Sequence, residues 1–237
     1  MSTFHFQQFS VIQEHSGMKV CTDATLFGAM MPLVKGDRVL DIGSGTGLLS
    51  LMAAQLGAGE VTAVEITEAA YRESVENFQN SPWAERLTAI HQDIQSYSRQ
   101  SDRLFDLIIC NPPFFQAHSR SQKQLRNIAR HTDQLAYREV LEIAKKHALP
   151  ISRVYLLLPA HAVAEITAIA QDIGLHLINR IDYRGYSHNT AKVAALTFGQ
   201  TERYFASQLH TIYQQQNIYS AASEAFLSPF LLRFAHA

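Results

Sequence analysis

The stretch "RVLDIGSGTGLLSLMAAQLG", residues 38–57, decides the fold. "RVLDIG" (38–43) is a short apolar run ending in glycine and reads as a strand. "LLSLMAAQLG" (48–57) reads as the helix that follows it, with Gly57 placed for the C-terminal cap. Between them Gly43, Gly45 and Gly47 form a loop without Cβ atoms, so a ligand can lie against the backbone at a helix N-terminus. Outward from this unit, short apolar runs alternate with amphipathic stretches. "EVTAVEI" (60–66) is a second strand, and Thr67 is placed to cap a helix carrying Tyr71, Val75 and Phe78 at helical spacing. "RLTAIHQD" (86–93) and "RLFDLIIC" (103–110) are the third and fourth strands. Thr132 or Asp133 begins a helix striped by Tyr137, Val140, Leu141, Ala144 and Ala148 and stopped by Pro150. A fifth strand, "SRVYLLLP" (152–159), precedes a helix carrying Val163, Ile166, Ala170 and Ile173, with Gly174 beyond it. "LHLINRIDYRG" (175–185) and "KVAALTFGQ" (192–200) close the series as a hairpin pair. The pattern predicts βαβ units around a mostly parallel sheet.

Composition narrows the possibilities. The chain has 237 residues, 47% hydrophobic and 17% charged, enough apolar side chains for a sizeable core. With a net charge of -1, nucleic-acid binding has to be argued from local charge. Cys21 and Cys110 lie far apart and read as free thiols of a reducing compartment. The N-terminus lacks a basic segment followed by an apolar run, and no apolar stretch is long enough to span a membrane, so a cytoplasmic protein is expected. A monomer is also expected: one domain, 1–237, on which an N-terminal extension (1–37) and a C-terminal tail (201–237) are packed. The eleven histidines form no His-x-x-x-His or Cys/His cluster, so no metal site is predicted, and no Gly-x-Ser-x-Gly signature occurs.

The glycine loop has two candidate ligands. A dinucleotide fingerprint, G-x-G-x-x-G, requires glycine where Leu48 stands. The observed Gly-x-Gly-x-Gly, preceded by Asp41, resembles instead motif I of class I S-adenosylmethionine-dependent methyltransferases. That resemblance implies a Rossmann-like α/β fold: a seven-stranded, mostly parallel sheet, helices on both faces, and a reversed last strand. Glu65 ends the second strand about 20 residues on, where an acid can accept hydrogen bonds from ribose hydroxyls. Asp93 fits the acid that such enzymes place near the cofactor adenine, so Asp41, Gly43, Gly45, Gly47, Glu65 and Asp93 form the expected S-adenosyl-L-methionine site.

"LIICNPPFF" (107–115) raises a second question, since few strands end on two prolines. Asn111 and Pro112 each precede a proline and are driven into extended backbone. The Asn111 side-chain oxygen and the Pro112 carbonyl then point outward with little freedom to lose. Two fixed acceptors suit a planar amine such as adenine N6, a glutamine amide or guanine N2. Accepting both N–H hydrogens favours rehybridisation and aims the nitrogen lone pair at the donor methyl. Positioning of this kind supplies roughly 7–11 kcal/mol of a barrier. Phe114 offers a face on which a base can stack for about 1–3 kcal/mol. Asn111, Pro112 and Phe114 are therefore the expected catalytic residues, with Asn111 also touching the cofactor and Pro113 the substrate.

Several stretches together resemble the tRNA1(Val) adenine-N6 methyltransferase family: "FQQFSVIQEHSGMKVCTDATLFGA" (6–29), "VLDIGSGTGLLSLMAAQ" (39–55), "CNPPFF" (110–115), "ARHTDQL" (129–135) and "IYSAASEAFLSPFLLRF" (218–234). The resemblance implies methylation of the adenine next to the anticodon (position 37) of one valine tRNA. It also implies that Thr22 and Asp23 lie near the methionine end of the cofactor. Related Asn-Pro-Pro-[Phe/Tyr] enzymes act on rRNA guanine N2 or on protein glutamine amides, and these are the alternatives. Local charge favours RNA: between Asp106 and Asp133 there is no acidic residue, while Arg120, Lys123, Arg126 and Arg130 accumulate. These four are the expected contacts to the tRNA anticodon loop.

Overall fold

In the computed structural model, which describes residues 2–16, 19–112 and 137–235, the strands alternate their side chains between two buried layers. β1 (Thr3–His5) and β2 (Ser10–Ile12) form an antiparallel hairpin, and α1 (Thr22–Ala29) follows. The central units are β3 (Arg38–Ile42), α2 (Leu48–Leu56), β4 (Glu60–Glu65), α3 (Glu68–Gln79), β5 (Leu87–His91), α4 (Ile94–Gln100) and β6 (Phe105–Cys110). Helix α5 runs through 137–147, then β7 (Ala148–Pro159), α6 (Val163–Asp172), β8 (His176–Arg184) and β9 (Val193–Gly199). The tail supplies β10 (Ala206–Thr211), the short pair β11 (Tyr213–Gln215) and β12 (Ile218–Tyr219), and α7 (Ala221–Leu227).

The main sheet has the order β10-β8-β9-β7-β6-β3-β4-β5. Strands β5 to β7 are parallel, and β9 runs antiparallel to both β7 and β8. This is the expected sheet of seven strands with one reversed. The tail adds an eighth, β10, parallel to β8. Val39, Leu107, Ile109, Tyr155 and Leu157 face one layer with α1, α2 and the tail residues Leu227 and Phe230. Leu40, Ile108, Val154, Leu156 and Leu158 face the other, with Leu141 of α5 and Ile166 of α6. Burial on both faces is why these strands read as continuous apolar runs.

Three local readings are corrected, and one element is added. Thr67 stands at the N-terminus of α3 but its hydroxyl makes no cap; its N–H donates instead to Glu65 Oε1 at 2.7 Å. The buried face of α3 is Ala70, Glu73, Ser74, Asn77 and Phe78, so Tyr71 and Val75 are only half-buried. The polar members win because they meet backbone groups of neighbouring segments: Glu73 Oε1 accepts from the His15 N–H at 2.6 Å, and Asn77 clasps the Ile12 backbone. Helix α5 ends before Pro150, and Pro150 lies inside β7, where the pairing jumps from Phe105–Ala148 to Leu107–Arg153. The jump accommodates a residue that has no N–H to give to the ladder. Finally, the 94–100 segment, which has no reading as an element above, is the helix α4.

Candidate active site

The order reverses between β3 and β6: from β3 the chain proceeds outward to β4 and β5, and from β6 to β7 on the other side. The crevice outside the carboxyl ends at such a reversal is where open α/β sheets take ligands. Residues 43–47 leave β3 there, and Asn111-Pro112 leave β6; Ile42 pairs in register with Cys110. The two segments therefore emerge side by side.

The three glycines do different things. All have positive φ (69°, 56° and 82° for Gly43, Gly45 and Gly47), a conformation that side chains disfavour. A Cβ added at Gly43 or Gly45 would meet nothing within 4 Å, so these two leave open space in front of the backbone. A Cβ at Gly47 would stand 2.3 Å from the Phe78 ring, so the third glycine serves helix packing. The loop is held from behind: the Gly43 and Ser44 N–H groups donate to the Val64 carbonyl, and Asn77 Nδ2 donates to the Thr46 carbonyl at 2.9 Å. Asn77 thus ties the glycine loop to β2.

Glu65 is buried at the end of β4, and its two oxygens accept from the Gly45 and Thr67 N–H groups at 2.8 and 2.7 Å. A carboxylate offers about four acceptor positions, so two remain for a ligand's hydroxyls. Asp41 is wholly buried within β3. Its Oδ2 accepts from the Ser50 hydroxyl at 2.7 Å, and its Oδ1 has no partner among the described residues. Burial drives its carboxyl up to about 7, opposed by the Ser50 hydrogen bond and reinforced by the nearby Glu65 charge. Ser44 Oγ in the loop is likewise buried without a partner. An open glycine cradle, a carboxylate with spare acceptors and two orphaned oxygens fit a polar ligand with hydroxyl and amino groups.

Asp93 stands two residues beyond β5 and caps α4, accepting from the Ser96 N–H at 2.7 Å, which holds its carboxyl below the usual range. Thr22 begins α1 and its hydroxyl lies 3.0 Å from that of Tyr213, in the tail. Asp23 is half-buried; burial raises its carboxyl, and Lys192 opposes the shift. Helix α1 packs beside α2 through Gly28, whose missing Cβ leaves room for Met52 and Leu49. Asn111 and Pro112 are half-buried, and no hydrogen bond to another described residue occupies the Asn111 amide. Pro113, Phe114, Arg120, Lys123, Arg126 and Arg130 lie outside the described residues, as do Thr132 and Asp133. Both cysteines are free, Cys21 exposed and Cys110 buried. Among the described residues no group of His, Cys, Asp and Glu is arranged to hold a metal, and no helix is long and apolar enough to cross a membrane.

Residues 9–174 match the methyltransferase small domain family. The tRNA1(Val) (adenine(37)-N6)-methyltransferase of Shewanella sp. (strain MR-4) is 38% identical over 84% of this chain and 85% of its own length. The protein of that name from Shewanella baltica (strain OS195) is 35% identical over 98% of this chain and 99% of its own. Among solved structures, protein Atu636 of Agrobacterium tumefaciens, described as a predicted O-methyltransferase, superposes with a TM-score of 0.67 at 16% identity. It covers 86% of this chain and 94% of that one, a likeness of fold.

Proposed function

The chain belongs to the family of tRNA1(Val) (adenine(37)-N6)-methyltransferases, and from that premise we propose that it methylates N6 of adenine 37, beside the anticodon of tRNA1(Val). It is an S-adenosylmethionine-dependent methyltransferase. The observation that carries the site assignment is the emergence of the open Gly43–Gly45 cradle and of Asn111-Pro112 from adjacent, in-register strands. S-adenosylmethionine, when bound, supplies an electrophilic methyl group. Gly43 and Gly45 shape its cradle, Gly47 lets the loop pack against Phe78 behind it, Glu65 receives ribose hydroxyls, and Asp41 offers an acceptor to the amino-acid end. Thr22 and Asp23 border that end, and Asp93 closes the adenine side.

The acceptor amine is held by the Asn111 side-chain oxygen and the Pro112 carbonyl. Both accept N–H hydrogens, so the nitrogen lone pair turns towards the methyl and the developing positive charge meets two dipoles already in place. Phe114 stacks on the base, Pro113 bounds its pocket, and Arg120, Lys123, Arg126 and Arg130 contact backbone phosphates of the anticodon loop. A target in a loop is extruded more readily than a paired base. We read residues 1–237 as one monomeric, cytoplasmic methyltransferase domain. The names of the relatives lend no support to rRNA guanine or a protein glutamine amide as the acceptor.

The test is incubation with labelled S-adenosylmethionine and total tRNA from a strain lacking the enzyme, followed by nucleoside analysis. Label is expected in N6-methyladenosine at position 37 of tRNA1(Val). Label found only in rRNA or in protein overturns the assignment.

A further inference from the structure

Beyond the carboxyl ends of β8 and β10 stands an array of aromatic rings that neither the cofactor cradle nor the Asn111-Pro112 acceptor pair uses. It begins in the β8–β9 connection, where His188 stacks on Tyr186 (5.7 Å between centroids, 3° between planes). Tyr186 approaches Tyr213 at 5.7 Å, and Tyr213 stacks on Tyr219 at 5.2 Å and 18°. Tyr219 leads to Phe234 at 6.1 Å. The Arg233 guanidinium lies over both last rings, 5.1 and 5.4 Å from their centroids.

Two features place this array at the edge of the sheet that carries the candidate active site. Strand β8 runs parallel to β7, and β10 parallel to β8, so the segments that follow them leave at the same carboxyl edge as Gly43–Gly47 and Asn111. The Tyr213 hydroxyl then reaches Thr22 at 3.0 Å, and Lys192 of the β8–β9 connection acts on Asp23. The end of the array borders a cleft of about 290 Å³ whose walls include Tyr219, Arg233, Thr22, Cys21 and His5. That is small for a whole cofactor but open to a flat ring. Among the described residues no acidic one lines it. Arg233 donates one hydrogen bond, to the Asn217 carbonyl at 3.2 Å, and takes part in no ion pair among the described residues, so its charge is not neutralised by a carboxylate there. The contrast with a second cleft, about 460 Å³ and walled by Glu14, Glu73, Glu76 and the Glu68–Arg72 ion pair, is one of charge: a wall with more carboxylates than cations repels a phosphate chain.

We propose that the Tyr219–Arg233 cleft and the aromatic array leading to it bind single-stranded RNA flanking the target base, with a nucleobase in the cleft and Arg233 facing its phosphate. Aromatic side chains take any base without regard to its identity, and the Arg233 guanidinium, placed over two rings and donating one N–H to the Asn217 carbonyl at 3.2 Å, keeps its other N–H groups for phosphate oxygens. This inference rests on RNA being the substrate. It adds the tail and the β8–β9 connection to the surface that grips it.

The experiment measures binding of a fluorescent anticodon stem-loop RNA of tRNA1(Val) to the full chain, with S-adenosylmethionine affinity and thermal midpoint measured alongside. Tyr219→Leu is expected to weaken RNA binding about tenfold, and Tyr219→Phe, which keeps the ring, to leave it unchanged. Arg233→Gln is expected to weaken it and to lower the slope of log affinity against log salt by about 0.7, one phosphate contact on a single strand. Cofactor affinity stays at the wild-type value in all three. Wild-type RNA affinity in both Tyr219→Leu and Arg233→Gln overturns the proposal, as does a lowered thermal midpoint with unchanged RNA binding, which makes the array only a clasp for the tail. Failure of the wild-type protein to methylate adenine in a stem-loop that it binds through Tyr219 and Arg233 overturns the proposed function and leaves this surface standing.

Discussion

Asn111 is the residue on which the proposed chemistry turns. Asn111→Ala keeps the rigid prolines that follow it and removes one of two acceptors for the amine, an acceptor that matters most as the nitrogen gains positive charge. Turnover at saturating tRNA is expected to fall about 100-fold or more, by analogy with deleting one oxyanion-hole donor, with cofactor affinity nearly intact. Single-turnover methylation checks this, and a near wild-type rate removes Asn111 from the mechanism. Asp41 makes a prediction of another kind. Its folded carboxyl is raised from 3.8 to about 7, chiefly by burial. The stability linked to this group is therefore fully present below about pH 4 and is lost as the pH climbs through about 7, because the unfolded chain gives up its proton first. Urea midpoints of the ligand-free protein are expected to fall between pH 5 and 8, and to fall less in Asp41→Asn, which cannot ionise. Equal slopes in the two proteins would mean that Asp41 does not carry the linkage.

At the scale of elements, the glycine loop and α3 behave as one piece. Gly45→Ala meets only the positive-φ penalty, about 1–2 kcal/mol, because nothing stands where its Cβ would go. Gly47→Ala meets that penalty and the Phe78 ring at 2.3 Å, so it is expected to destabilise by at least about 1 kcal/mol more. Chemical denaturation of the two variants gives the order; a reversed order contradicts the assignment of Gly47 to packing. Helix α3 shows why its apolar spacing misled. Tyr71, Val75 and Phe78 are the hydrophobic residues at the right period, but only Phe78 is fully covered. Asn77 is buried because its amide bonds both the Ile12 backbone and the Thr46 carbonyl, 65 and 31 residues away. Partners at that distance leave no trace in a helical period.

For the whole molecule the decisive feature is how its ends meet. Gln7 Nε2 donates to the carbonyls of Ser228 and Leu231, Phe6 bridges Leu231, and Gln55 reaches the Pro229 carbonyl. Leu227, Phe230 and Leu231 complete the layer that covers α1 and α2. These three tail residues are thus part of the core. Phe230→Ala is expected to destabilise the fold by about 3–5 kcal/mol, the range for emptying a buried aromatic site. Urea unfolding measures the loss. A change below 1 kcal/mol would show that the tail packs too loosely to hold the rings of Tyr213 and Tyr219 in place.

The residues by themselves determined the parallel core, its glycine loop and the Asn111-Pro112 tip. These depend on local physics: strands buried on both faces must be apolar throughout, a cradle against the backbone needs glycine, and proline restricts the residue before it. Even the reversed β9 was legible, because 175–185 and 192–200 are neighbours in the chain. Only the tertiary structure decided what depends on remote partners. It set β10 on the edge beside β8, turned Glu73 and Asn77 of α3 inward, made Asp93 a helix cap, and brought Thr22 to Tyr213 across 191 residues. The aromatic array belongs to the same class, since its rings come from the β8–β9 connection, the β11–β12 pair and the end of the chain. No periodicity in sequence records that such rings stack, because what joins them is the common carboxyl edge of a sheet whose strand order only folding establishes.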